Sequence, residues 1–201
     1  MALVVDDLKQ NIEQIFSDMN EMTGGGNQYM AENLALAIKD FISDGVVTSL
    51  DDSGTIGSNT YSGTGTGNMT IDEESLAEEF LSVFEDENVN DTSIAEGMAD
   101  AIDKACSETD IVETETIGTQ TPPSGTPTPA SGTGLGTFSG TKSIISAALI
   151  PAFAAMLPLK SGGNAIFANA LATSINTYLL GGSINITLQE PIVGSATGKI
   201  A

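Results

Sequence analysis

Three stretches of this chain carry apolar side chains at steps of three and four residues, which is the spacing of one face of a helix. The clearest stretch is residues 31–42, where Leu34, Ile38 and Phe41 follow that spacing. Residues 95–106 repeat the pattern with a weaker apolar stripe, and residues 168–179 repeat it without charged side chains. The pattern therefore predicts three equivalent helices.

A further helix is predicted ahead of each of these stretches. Phe16, Phe84 and Phe153 lie in the preceding apolar stripes, about 68 residues apart. Glycine runs separate the paired helices in the first and third copies. Because the same features occur three times in the same order, the sequence predicts three tandem copies of one module.

Each helix pair is followed by segments that favour strands. Residues 46–50 and 111–117 are rich in β-branched side chains, and residues 183–188 alternate strictly between polar and apolar positions. Residues 51–54, with the sequence Asp-Asp-Ser-Gly, predict a turn. Glycine-rich ends such as residues 62–67 predict irregular strands or tight loops in which backbones approach closely.

These elements predict an α+β fold of three tandem helix-helix-strand-strand repeats, at residues 1–70, 71–140 and 141–201. A module of about 65 residues buries only a marginal core. We therefore expect the modules to pool their apolar faces. They could do so around a pseudo-threefold axis or stacked in a row, and either arrangement gives one compact unit.

The composition removes most catalytic chemistry. The 201 residues include no His, no Arg and one cysteine, Cys106. Without His there is no Ser-His or Cys-His pair, and a single cysteine makes neither a thiolate zinc site nor an internal disulfide. The glycines at 63, 65 and 67 lack the spacing of a dinucleotide-binding loop. We expect no enzyme, no catalytic residue and no cofactor.

The nearest candidate for a metal site is a loop that resembles an EF-hand. Asp86, Asn88 and Asn90 place oxygen atoms at its first, third and fifth positions, and Glu96 would supply the last ligand. However, Asp91 stands where an EF-hand requires glycine, and Glu96 comes one residue too early. The sequence therefore predicts no metal site, and these residues are its only calcium candidates.

Charge is distributed unevenly along the chain. The net charge is −21, and residues 1–115 hold 26 of the 27 acidic residues. This balance argues against a direct grip on nucleic acid and against anionic membranes. The remaining residues, 116–201, are nearly uncharged, so we expect another surface to cover them. The residues expected in that interface are Ile144, Leu149, Phe153, Phe167, Leu171, Tyr178, Ile184 and Ile186.

The longest apolar run, residues 144–159, is short for a membrane span and contains Pro151 and Pro158. We expect a buried helix whose end is marked by proline, and no membrane partner. Residues 1–7 lack a basic start and turn acidic at once, so we also expect no signal peptide.

The order of these motifs resembles that of small virion or tail-associated structural proteins of tailed bacteriophages. The resemblance is carried by Gly-Gly-Asn at residues 162–164 with the following helix, by residues 30–48, and by the glycine-rich ends that begin at Ser62 and Ser131. The second copy departs most, because it lacks Gly-Gly-Asn.

The resemblance implies a non-enzymatic assembly role in a virion, in the tail, baseplate, neck or capsid surface. Symmetric packing is the default for such assemblies, so the expected partners are further copies of this chain, in a ring or lattice, and other virion structural proteins. The alternative is a secreted or surface-displayed acidic binding module that depends on calcium, which the Thr-, Gly- and Pro-rich segments would also fit. A melting curve recorded with and without Ca²⁺ distinguishes the two.

Overall fold

A computed structural model describes residues 3–87, 90–108, 111–159 and 161–200, without the side chains of residues 50, 51 and 111–114. In these residues six helices and six strands occur in the order helix-helix-strand-strand, three times over. The predicted α+β class and the predicted order of elements are confirmed. The helices are α1 (Val5–Met19), α2 (Gly26–Asp44), α3 (Glu73–Glu85), α4 (Asp91–Ser107), α5 (Ser143–Met156) and α6 (Gly163–Gly181). The strands are β1 (Val46–Ile56), β2 (Asn59–Asn68), β3 (Ile111–Thr121), β4 (Thr128–Ser139), β5 (Ser183–Leu188) and β6 (Val193–Ile200).

The strands form one closed barrel in sequence order, with β6 paired to β1. Every neighbouring pair is antiparallel. Because the strands alternate in direction, the three hairpin connections lie at one end of the barrel. The three helix pairs therefore all lie at the other end.

The helices form a ring over that end of the barrel. Each helix contacts the next one along the chain, and α6 contacts α1. The three units are thus arranged around the barrel axis rather than in a row. One continuous core of apolar side chains runs from the helices into the barrel.

Helix starts follow local chemistry. The Oδ1 atom of Asp72 accepts hydrogen bonds from two backbone N–H groups at the start of α3, at 3.1 and 3.3 Å. Asn90 caps α4 in the same way. Helices α2 and α6 have no such side-chain cap. They follow Gly25 and Gly162, whose φ angles of 74° and 84° are left-handed. Glycine adopts that conformation at no steric cost.

The turn predicted at residues 51–54 is wrong. β1 continues through it to Ile56, and the turn lies at Gly57 (φ 59°) and Ser58. The polar, glycine-containing segment is instead accommodated by a shift of register between Ser49 and Asp52, where β1 pairs with β2 and β6. A β-bulge inserts an extra residue without ending the strand.

The expected helix with a proline at its end is observed, because α5 ends at Met156, two residues before Pro158. Pro151 is inside α5. Its missing N–H releases the carbonyl of Ala147, four residues earlier. Both Pro151 and Ala147 are exposed, so water can satisfy that carbonyl.

The barrel interior is narrow, and both apolar and polar side chains line it. With six strands it has less room than the eight-stranded barrels that side chains just fill, and glycines let the strands approach. A Cβ added to Gly54 would lie 2.6 Å from the carbonyl oxygen of Val193. The larger apolar side chains of the interior are Val47, Phe138, Ile184, Ile186, Leu188 and Ile200. Its polar side chains are Ser49, Asp52, Tyr61 and Thr116.

Candidate docking site

Six of the eight residues predicted for an intermolecular interface do not reach the surface. They are buried in the chain's own core: Leu149, Phe167, Leu171, Tyr178, Ile184 and Ile186. Only Ile144 and Phe153 are partly exposed. The prediction is corrected because the closed ring covers α6 with α1 and α5. These six side chains of the neutral third unit are thus covered from within the chain.

The end of the helix ring that faces away from the barrel contains an apolar pit. Helices α1, α3 and α5 run away from the barrel, and α2, α4 and α6 return to it. Their connections therefore lie at this far end, which we call the helical end. The pit there has a volume of about 250 Å³. Its lining is Phe16, Asn27, Met30, Phe84, Ile94, Met98, Phe153, Met156 and Phe167.

All three units build the wall of the pit. Phe16, Phe84 and Phe153, one from each outgoing helix, are the residues that the sequence repeats about 68 positions apart. The ring of Phe167 on α6 contacts that of Phe16 edge-on at 5.3 Å and stacks on that of Phe153 at 5.7 Å. The Nδ2 atom of Asn27 donates a hydrogen bond of 3.0 Å to the carbonyl oxygen of Phe84, joining the first unit to the second. No single helix could form this pit.

The connections at this end also carry exposed apolar side chains. Met22, Leu157 and Leu159 are 38%, 76% and 45% exposed. The first two connections also carry exposed carboxylates, namely Glu21, Glu85, Asp86 and Glu87. The third connection, residues 157–162, has no acidic residue. The helical end is therefore an apolar surface with negative charge on two of its three sides.

The loop considered for calcium is a capped connection between helices. The Oδ1 atom of Asn90 accepts hydrogen bonds from the backbone N–H groups of Thr92 and Ser93, at 3.0 and 3.1 Å. Glu96 lies within α4 and is exposed, and Asn88 is outside the described residues. Across the described part of the chain, no group of three or more Asp, Glu, Cys or His side chains is placed to hold a metal ion.

A larger cleft lies between α2 and α3, but it is open and acidic. Its volume is about 530 Å³. Its lining includes the carboxylates of Glu32, Asp72, Glu73, Glu74 and Glu78. Most of these side chains face solvent, so the cleft offers little apolar surface to a ligand.

Cys106, the chain's one cysteine, lies in the core of the helix ring rather than at either site. It is fully buried. Burial raises the pKa of its thiol to about 12, and the negative charge of Asp103 adds to the rise. The thiol is therefore neutral and behaves as a small apolar side chain.

Helices that could span a membrane are not found in the described residues, because none is both long and apolar enough. No protein-family model matches the chain, and neither does any curated protein or solved structure.

Proposed function

We propose that this chain is a non-enzymatic structural protein of a phage virion, and that it binds a neighbouring virion protein through its helical end. The phage setting rests on the motif resemblance, and the docking role rests on the apolar pit. Exposed apolar surface on a soluble chain is a marker of interaction sites. Here a cavity of about 250 Å³ and three exposed apolar side chains lie at the same end of the molecule.

The size of the pit favours inserted side chains over a cofactor. Pockets for drug-sized ligands usually measure about 300–1,000 Å³, and this one is smaller. Aromatic rings and the methionines Met30, Met98 and Met156 line it. Methionine fits itself to side chains of different shape, as it does at many peptide-binding surfaces. The pit is therefore suited to one or two large apolar side chains of a partner protein.

The negative charge at the helical end favours a positively charged partner. Two copies of this chain would bring the same carboxylates of the first two connections together, and like charges at an interface repel. A partner with lysine or arginine beside its apolar anchors would be attracted instead. The proposed occupant is a cationic amphipathic helix of a different virion protein. A ring of identical chains, as predicted from the sequence, would need an interface away from the helical end.

A designed peptide tests the docking site directly. The probe is a fluorescent helical peptide of leucine and lysine, about 18 residues long, and its control replaces each lysine by glutamate. We expect the lysine peptide to raise the fluorescence anisotropy on binding, with an affinity that falls as salt screens the carboxylates. The glutamate peptide should not bind. Equal binding of both peptides would contradict the role given to charge.

A matched pair of variants tests whether the peptide binds at the helical end. Leu159 and Leu180 are both 45% exposed, but Leu180 lies at the barrel end of α6. Leu159→Ser should lower the affinity for the lysine peptide by about fivefold or more, because about 1 kcal/mol from apolar burial is lost. Leu180→Ser should leave binding unchanged. Light scattering of the free chain completes the test, since an oligomer that Leu159→Ser dissociates would identify a second copy as the occupant.

A further inference from the structure

The barrel interior contains a buried carboxylate without a partner. Asp52 is 1% exposed, and neither its Oδ1 nor its Oδ2 atom has a hydrogen-bond partner. An ionised carboxylate buried without compensation is strongly unfavourable, because it loses its hydration. Such a group in a folded protein points to an ion, a proton or water that neutralises or solvates it.

A bulge turns this carboxylate inward. Side chains alternate between the two faces of a regular strand, so residues 49 and 52 would lie on opposite faces. Both are buried in the barrel, because the register of β1 shifts between Ser49 and Asp52. Bulges commonly re-aim side chains in this way.

Ser49 and Asp52 border the same space. A Cβ added to Gly65 would lie 2.7 Å from Ser49 Oγ and 3.1 Å from Asp52 Oδ2. Ser49 Oγ is also buried and without a hydrogen-bond partner. Two unpartnered oxygen-bearing side chains therefore face the space above Gly65.

Two more buried hydroxyl groups lie on the neighbouring positions of β2 and β3. Asp52 pairs with Gly63 in the β1–β2 ladder, and a Cβ on Gly63 would collide with the hydroxyl of Tyr61. Thr116 pairs with Gly65 in the β2–β3 ladder. The hydroxyl oxygens of Tyr61 and Thr116 lie 2.7 Å apart. Four oxygen-bearing side chains from three strands thus line one part of the barrel interior, beside two glycines, and we call this part the chamber.

We propose that this chamber binds a dehydrated alkali cation, Na⁺ or K⁺, with Asp52 as its charged ligand and with Ser49, Tyr61 and Thr116 as neutral oxygen ligands. A single carboxylate balances one positive charge, whereas a divalent ion would leave a net charge buried. Oxygen atoms of carboxylates and neutral groups replace the hydration shell of such ions. The absence of a cluster of three metal-binding side chains in the described residues fits a monovalent ion.

The bound ion would join β1, β2 and β3 on the polar side of the barrel. Because it binds only the folded chain, the ion raises stability in proportion to the logarithm of its concentration above its Kd. The chain's net charge of −21 also concentrates cations near it. The selectivity among monovalent cations is therefore the property to measure.

The test is thermal unfolding of the full chain in NaCl, KCl or N-methylglucamine chloride at equal ionic strength. The three salts screen charge equally, so a difference between them reports a site that admits only small ions. We expect the Tm in Na⁺ or K⁺ to exceed that in N-methylglucamine by roughly 5 °C at an ion concentration about 100 times the Kd. The same Tm in all three salts would overturn the proposal, because a proton or water would then satisfy Asp52.

Two variants assign the effect to the chamber. Asp52→Asn keeps the shape of the side chain and removes its charge, so it should give the same Tm in all three salts. Asp44→Asn removes the same charge at an exposed position and should keep the difference. An Asp52→Asn protein that still distinguished the cations would refute the site. The comparison of salts on the unmodified chain stands by itself if Asp52→Asn does not fold.

Discussion

Replacing Tyr178 by phenylalanine tests a contact that joins two units inside the helix ring. Tyr178 on α6 is fully buried. Its hydroxyl donates a hydrogen bond of 2.6 Å to Asp103 Oδ1 on α4. Its ring lies 5.3 Å from that of Phe138, near the end of β4 that leads into α5. Burial raises the pKa of Tyr178, so the hydroxyl stays protonated and able to donate.

The expected loss comes from the interactions of the hydroxyl, of which the bond to the charged Asp103 is the stronger, because phenylalanine keeps the ring in place. A hydrogen bond to a charged group stabilises a protein by about 1.5–3 kcal/mol, so Tyr178→Phe should lower the free energy of unfolding by about 2 kcal/mol. Tyr29→Phe is the matched control. The hydroxyl of Tyr29 also donates to a carboxylate, Asp18 Oδ2, at 2.9 Å, but this tyrosine is only partly buried. The stability lost in Tyr29→Phe should be clearly smaller, because water screens a charged pair near the surface.

Urea unfolding followed by circular dichroism measures both variants. For Tyr178→Phe we expect the unfolding free energy to depend on urea concentration with an unchanged slope. The urea concentration at the unfolding midpoint should fall by about 1 M, and the Tm should fall by about 4–8 °C. A Tyr178→Phe protein that lost no more stability than Tyr29→Phe would refute the argument. The bond between α6 and α4 would then contribute no more than a contact near the surface.

Cys106 should react with iodoacetamide at pH 8 at least about 100-fold more slowly in the native chain than in urea, because its thiol is buried and protonated. Its pKa rises from 9.0 to about 12 on folding, so its contribution to the free energy of unfolding should be constant below about pH 9 and decline towards pH 12. Cys106→Ala should reduce this dependence of the unfolding free energy on pH. Gly54→Ala should lower the free energy of unfolding by about 1–3 kcal/mol, because its Cβ would lie 2.6 Å from the backbone oxygen of Val193. Gly24→Ala, whose Cβ would meet nothing within 4 Å, should change it by less than about 0.5 kcal/mol in the same urea titration.

Local patterns predicted the elements well. Residues 31–42, 95–106 and 168–179 lie within α2, α4 and α6, and residues 183–188 coincide with β5. Helical spacing and strict alternation are properties of neighbouring residues, so they can be recognised without knowledge of the fold. Residues 51–54 show the limit of such patterns. Their composition is typical of a turn, but pairing with β2 and β6 keeps them in a strand.

The sites depended on contacts that local patterns do not contain. The spacing of Phe16, Phe84 and Phe153 marked them as equivalent, yet only ring closure brings them to one pit. The composition of residues 51–54 predicts a turn that includes Asp52, and no local pattern indicates that a bulge directs this side chain into the barrel. A buried carboxylate cannot be recognised before strand pairing is known.

The amino-acid sequence by itself determined the helices, the order of the elements and the acidic character of residues 1–115. The tertiary structure decided that the units close around an axis, which buried most of the side chains predicted for an intermolecular interface. It also decided which apolar side chains remain at the helical end and which polar ones enter the barrel. The physical reason is that amphipathic spacing specifies that a face must be buried, whereas the closed ring and barrel specify what buries it.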